Sequence, residues 1–84
     1  MFEEIVALKR SKTKTQILKA LFQAKTPTEV AKQLNLHQSS VSRSILQMEQ
    51  AGLLKCVTPK ERNFRHYLIT EKGKKLLKIV QAKT

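Results

Sequence analysis

The chain has one cysteine, no aspartate, few aromatics and no long apolar run, and each shortage removes a class of protein. Cys56 is the only cysteine among 84 residues, so no internal disulfide can form and no thiolate set for structural zinc can assemble. Such a thiol reads as a small, half-buried apolar residue in a reducing compartment. No apolar stretch approaches the roughly 20 residues of a membrane span. The opening Met1-Phe2-Glu3-Glu4 is acidic and lacks the basic start and apolar core of a secretion signal. A soluble cytoplasmic protein is expected. There is no glycine-rich phosphate loop, no paired catalytic carboxylates and no Ser/His/Asp arrangement, so neither an enzyme nor a cofactor site is expected. His37 and His66 are far apart, with no carboxylate or thiol spaced to complete a metal set. Phe22, Phe64 and Tyr67 are too scattered for the stacking platform that single-stranded nucleic acid requires.

Against these shortages stands an excess of positive charge. Seventeen Lys and Arg face six acidic residues, all glutamate, for a formal net charge of +11 and a sequence pI near 10.3. Such an imbalance suits a polyanion, and nucleic acid is the first candidate. Its distribution carries more information than its total. Lys9, Arg10, Lys12 and Lys14 cluster near the start. Lys55, Lys60, Arg62 and Arg65 outweigh Glu61, and Lys72, Lys74, Lys75, Lys78 and Lys83 outweigh Glu71. Between residues 27 and 52 the balance is neutral, Lys32 and Arg43 against Glu29 and Glu49. A neutral centre flanked by cations suits a surface whose middle reads bases while its edges hold phosphates.

The periodicity predicts mainly helix with one small β-hairpin. Phe2, Ile5 and Val6 suggest a short first helix over about 2–9. Thr13-Lys14-Thr15-Gln16 is a candidate capping box for a second, with Ile17, Leu18, Leu21 and Ala24 on its apolar face. Thr26-Pro27-Thr28-Glu29 is the clearest start signal, with a hydroxyl cap, proline at the first helical position and glutamate three residues after the cap. That helix should stop at Asn35, a residue that tolerates a left-handed backbone. The next should run from about Gln38 to Gln50, with Val41, Ile45 and Met48 inward and Gly52 just past its end. Residues 53–58 and 64–69 then read as strands around the polar turn Pro59-Lys60-Glu61-Arg62-Asn63. Thr70 should cap a last helix, over about 71–83, whose Leu76, Leu77, Ile79 and Val80 form a broad apolar stripe.

Two helices joined by a short turn, the second with a slim polar outer face, define a helix-turn-helix. A helix about 10–12 Å across just enters a major groove about 12 Å wide. Gln38, Ser39, Ser40 and Ser42 would make a slim, hydrogen-bonding leading turn. Arg43 can pair with a guanine edge and Gln47 with an adenine edge. Serine is a poor mid-helix residue, so serines at 39, 40, 42 and 44 point to close approach of another surface. Lys60, Arg62 and Arg65 would lie on the sugar–phosphate backbone or in the minor groove. Thr28, in the first turn of its helix, suits a phosphate. Leu46 faces outward, towards either a thymine methyl or a protein.

Three segments resemble winged helix-turn-helix regulators of the MarR-like and ArsR-like kind. Residues 28–36 look like the first helix and turn of the motif. Ser40-Val41-Ser42-Arg43, continuing through 48–54, is similar to the recognition helix and first strand. Tyr67-Leu68-Ile69-Thr70-Glu71-Lys72-Gly73 resembles the end of the wing in those families. The resemblance implies a groove-facing set of Gln38, Ser39, Ser40, Ser42, Arg43 and Gln47, with Arg62 as the wing contact. The chain departs from the MarR-like pattern in having little length for a ligand pocket, and from ArsR-like metal sensors in having only Cys56. One domain over 1–84 is expected, with the helix-turn-helix over 27–51 and the wing over 53–69. The implied function is sequence-specific regulation of transcription on double-stranded DNA, as a homodimer joined through the terminal helices. An architectural or nucleoid DNA-binding protein is the alternative, and a protein-interaction winged helix ranks third.

Overall fold

The computed structural model describes Val6 and residues 10–81. Helix α1 spans Lys12–Ala20, α2 Pro27–Leu34 and α3 Gln38–Gln50. Strands β1 (Leu54–Cys56) and β2 (Tyr67–Ile69) follow, and α4 spans Glu71–Gln81. Apart from Val6, which is helical, the expected first helix lies outside the described residues. The same holds for the last two residues expected of the final helix.

Local chemistry explains the helix boundaries. The Thr13 capping box is not formed. Ser11 caps α1 instead, its hydroxyl accepting from the Lys14 amide at 3.2 Å, so the helix starts two residues earlier than the spacing suggested. The expected face also overran. α1 ends at Ala20, and Ala24 is exposed beyond it. The second box is present as expected. The Thr26 hydroxyl accepts from the Glu29 amide at 3.1 Å, and the Thr26 amide donates to Glu29 Oε1 at 3.0 Å. A cap of this kind contributes about 1 kcal/mol. Asn35 ends α2 in the left-handed region (φ 56°). At the end of α3, Gly52 adopts φ 82° while the Leu53 amide donates back to the Met48 carbonyl at 2.8 Å.

One core holds these pieces together. Ile17, Leu18 and Leu21 meet Val30, Val41 and Ile45 from the motif, Leu54 and Ile69 from the hairpin, and Leu76 and Leu77 from α4. All are buried. The hairpin is antiparallel, with Leu54 opposite Ile69 and Cys56 opposite Tyr67. Both strands are shorter than expected, and in the second Phe64 turns left-handed (φ 58°) and breaks the extended run. The hairpin also has a third participant that the sequence reading did not anticipate. Lys25 bridges Tyr67 in antiparallel fashion, with reciprocal bonds of 3.1 and 2.8 Å, and the Ile69 amide donates to the Leu21 carbonyl at 2.8 Å. The connection between α1 and α2 therefore continues the sheet beside β2.

Candidate nucleic-acid interface

The turn of three residues between α2 and α3 aims the first turn of α3 outward beside the wing loop, residues 57–66. Three elements meet there around an open cleft of about 390 Å³. The N-terminal turn of α2 contributes Thr26, Pro27 and Thr28, α3 contributes Gln38 and Ser42, and the wing contributes Arg62, Asn63, Phe64, Arg65 and Tyr67. No acidic side chain lines it. Hydroxyl, amide and guanidinium donors converge on one basin, which suits an anion. Five of the ten expected site residues thus come together: Thr28, Gln38, Ser42, Arg62 and Arg65.

The other five sit outside that lining. Ser39, Ser40, Arg43 and Gln47 are exposed on α3, and Lys60 is exposed on the wing loop. Arg43 and Gln47 lie one turn apart on the same helix face. Leu46 beside them is 52% exposed, as its outward position suggested. His37 occupies the N-cap of α3 but makes no side-chain capping bond.

The wing loop is pinned rather than slack. The Val57 amide donates to the His66 carbonyl at 2.9 Å, and the His66 amide donates to Thr58 Oγ1 at 2.9 Å. The Glu61 amide donates to the Thr58 carbonyl at 3.1 Å, and Arg65 Nε donates to the Glu61 carbonyl at 2.6 Å. Within this frame Phe64 is 74% exposed. A bulky residue held left-handed costs about 1–2 kcal/mol, and an exposed phenyl ring gains no burial to offset it.

Sequence reasoning placed Phe64 in a strand and gave it no role. A signal was nevertheless present. With Tyr67 and Ile69 facing the core, strand alternation puts Phe64, His66 and Leu68 on the opposite side.

Electrostatics tie the wing to α2. His66 Nε2 lies 3.9 Å from Glu29 Oε1, an ion pair whenever the imidazole is protonated. The hydrogen bonds from Thr26 hold the Glu29 carboxyl below its ordinary range, with the charges of His66 and Lys25 adding to the effect. Burial pushes the Tyr67 phenol up, with nearby Arg65 working the other way. Among the described residues no group of three or more His, Cys, Asp or Glu could hold a metal ion. None of their helices is long and apolar enough to cross a membrane.

Comparison with solved structures places this arrangement among known folds. The chain is similar to the transcriptional regulator BldR from Sulfolobus solfataricus, at TM-score 0.78 and 23% identity over 95% of this chain and 63% of that one. It is also similar to the multiple antibiotic resistance repressor MarR, at TM-score 0.77 and 15% identity over 96% of this chain and 61% of that one. A MarR-family transcriptional regulator from Rhodococcus sp. RHA1 gives TM-score 0.70 and 19% identity, over 95% and 59% of the two chains. The chain therefore shares its fold with these regulators and spans less than two thirds of their length. Comparison with curated protein sequences gives no match. The winged helix-turn-helix family model matches residues 9–83, and this chain belongs to that family.

Proposed function

We propose that this chain binds double-stranded DNA sequence-specifically and regulates transcription. The observation that carries this reading is the convergence of Thr28, Gln38, Ser42, Arg62 and Arg65 on one acid-free cleft between α3 and the wing. In this arrangement α3 enters the major groove and presents Ser39, Ser40, Arg43 and Gln47 to base edges. The cleft straddles the neighbouring sugar–phosphate backbone, with Thr28 at the amide-rich start of α2. Lys60, Arg62 and Arg65 carry the wing along the backbone or into the minor groove. The net charge of +11 supports the same reading, because most of it lies outside the neutral motif. Affinity then comes from the flanks and discrimination from α3.

Residues 1–84 act in this reading as one winged helix-turn-helix unit in the cytoplasm, on the nucleoid. It is a binding module rather than an enzyme and needs no cofactor or metal. Two copies pair through the terminal helices, where Ile79 of α4 stays 39% exposed. Pairing sets two reading helices about 34 Å apart, one turn of DNA.

The test is selection of duplexes from a random library, with sedimentation of the complex. Enrichment of a palindrome bound by two copies is expected. Binding without any enrichment would replace this reading with charge-driven coating of DNA. Failure to bind any duplex at low salt would leave a protein-interaction role.

A further inference from the structure

We propose that Phe64 is an apolar wedge for duplex DNA, entering the minor groove beside the cleft and bending the helix there. The inference rests on the DNA-binding reading and adds a residue and a deformation to it. Three observations meet at this side chain. It is 74% exposed, the largest exposure among the exposed large hydrophobics of the described residues. Its backbone is left-handed at φ 58°, although Asn63, a residue type that accepts this conformation readily, stands immediately before it. The hydrogen bonds among Val57, Thr58, Glu61, Arg65 and His66 fix the loop that presents it. A strained, exposed and rigidly presented aromatic ring points to use.

The surroundings identify the occupant. Lys60, Arg62 and Arg65 are all exposed within the same loop and outnumber Glu61, and Arg62 and Arg65 line the cleft together with Phe64, so a partner of Phe64 sits beside cations. A neutral apolar protein surface would have to desolvate them without repayment. The minor groove offers what the loop requires, with phosphates on both rims for the cations and sugar walls and base steps between them for the ring. Apolar side chains seated at base steps partly unstack them and kink the duplex towards the major groove. That bend would carry DNA from the wing back onto α3.

The test uses the full chain and an end-labelled duplex with a flexible pyrimidine–purine step at its centre, read by energy transfer between the ends. The variants are Phe64→Asn, which suits the left-handed backbone but removes the wedge, and Phe64→Leu, which keeps an apolar wedge. Wild type should shorten the end-to-end distance, and Phe64→Leu should largely do the same. Phe64→Asn should bind roughly 10- to 100-fold more weakly, the equivalent of leaving one phenylalanine unburied, with little bend. Its melting temperature should be no lower than wild type, which separates a lost contact from a lost fold. A 2-aminopurine at the central step should brighten in the wild-type complex as stacking is lost.

Phe64→Asn bending and binding the duplex as wild type does would overturn the wedge and leave the DNA-binding reading standing. An unbent wild-type complex with a dark 2-aminopurine would do the same, even if Phe64→Asn failed to fold. A wild type that bound no duplex would remove both.

Discussion

The Thr70 hydroxyl donates to the Gly52 carbonyl at 2.6 Å and accepts from the Gly73 amide at 3.1 Å. One side chain thereby joins the end of α3 to the start of α4 across the base of the wing. The Thr70 amide adds a bond to the Leu53 carbonyl at 3.0 Å, and Lys72 Nζ donates to the Ala51 carbonyl at 2.8 Å. The carbonyl end of α3 is therefore held by the segment that leaves the wing.

Replacing Thr70 with valine keeps the shape and removes both hydroxyl bonds. Loss of a helix cap together with one partner of a short hydrogen bond should cost about 1–2 kcal/mol. Urea denaturation measures it, and Thr70→Ser should recover most of the loss. Equal stability of Thr70→Val and wild type would show that the clasp contributes nothing.

Gly73 lies where α4 crosses the hairpin. A Cβ there would collide with the Leu53 carbonyl oxygen and stand 2.8 Å from Ile69 Cγ1. Backbone cannot yield as a flexible side chain does. Gly73→Ala should therefore destabilise by about 3 kcal/mol, the upper part of the range for overpacking. Thermal unfolding followed by circular dichroism is the check, and a variant as stable as wild type would contradict the close approach.

Glu29 sets a pH dependence whose sign is fixed by its lowered pKa. Its carboxylate is favoured in the folded state, so its contribution is complete above the ordinary glutamate value, about 4.3. It is lost as the pH falls through the lower, folded value. Glu29→Gln keeps an acceptor for the Thr26 amide but cannot titrate. Its stability should fall less steeply than wild type below about pH 4.3. Chemical denaturation at a series of acidic pH values reads this directly, and parallel acid limbs would remove Glu29 from the account.

Arg43 and Arg62 should fail in different ways. Arg43→Ala should erode preference by about 1–3 kcal/mol at one base pair and spare other sequences. Arg62→Ala should weaken all duplexes alike and reduce the log–log salt slope by about 0.9. Binding titrations on selected and scrambled duplexes at several salt concentrations separate the two. Uniform losses for both variants would deny Arg43 a base-reading role.

The sequence disclosed most where a single residue type has few alternatives. Thr26-Pro27-Thr28-Glu29, Asn35 and Gly52 each marked a helix boundary that the structure confirms, because caps and left-handed stops depend on local chemistry. The buried face of α3, Val41, Ile45 and Met48, followed from period. The start of α1 was less legible: Thr13-Lys14-Thr15-Gln16 has the spacing of a capping box, yet Ser11 is the cap. The cleft was half legible. Its residues could be named, but their convergence depends on how the wing folds back, which no local pattern encodes. The Lys25–Tyr67 bridge joins residues far apart in the chain and left no local trace in the sequence.

That bridge separates what is fixed in the wing from what is free to vary. With Lys25 and Leu21 bonded along β2, the angle between the hairpin and α3 is set at the base, by the connection that precedes α2. The loop over 57–66 only decorates that base. On the DNA-binding reading proposed above, lengthening, shortening or exchanging it should retune which groove features are touched without re-aiming α3. The wing is in this sense an interchangeable fingertip on a rigid knuckle, and it offers the natural place to graft a new binding preference onto this scaffold.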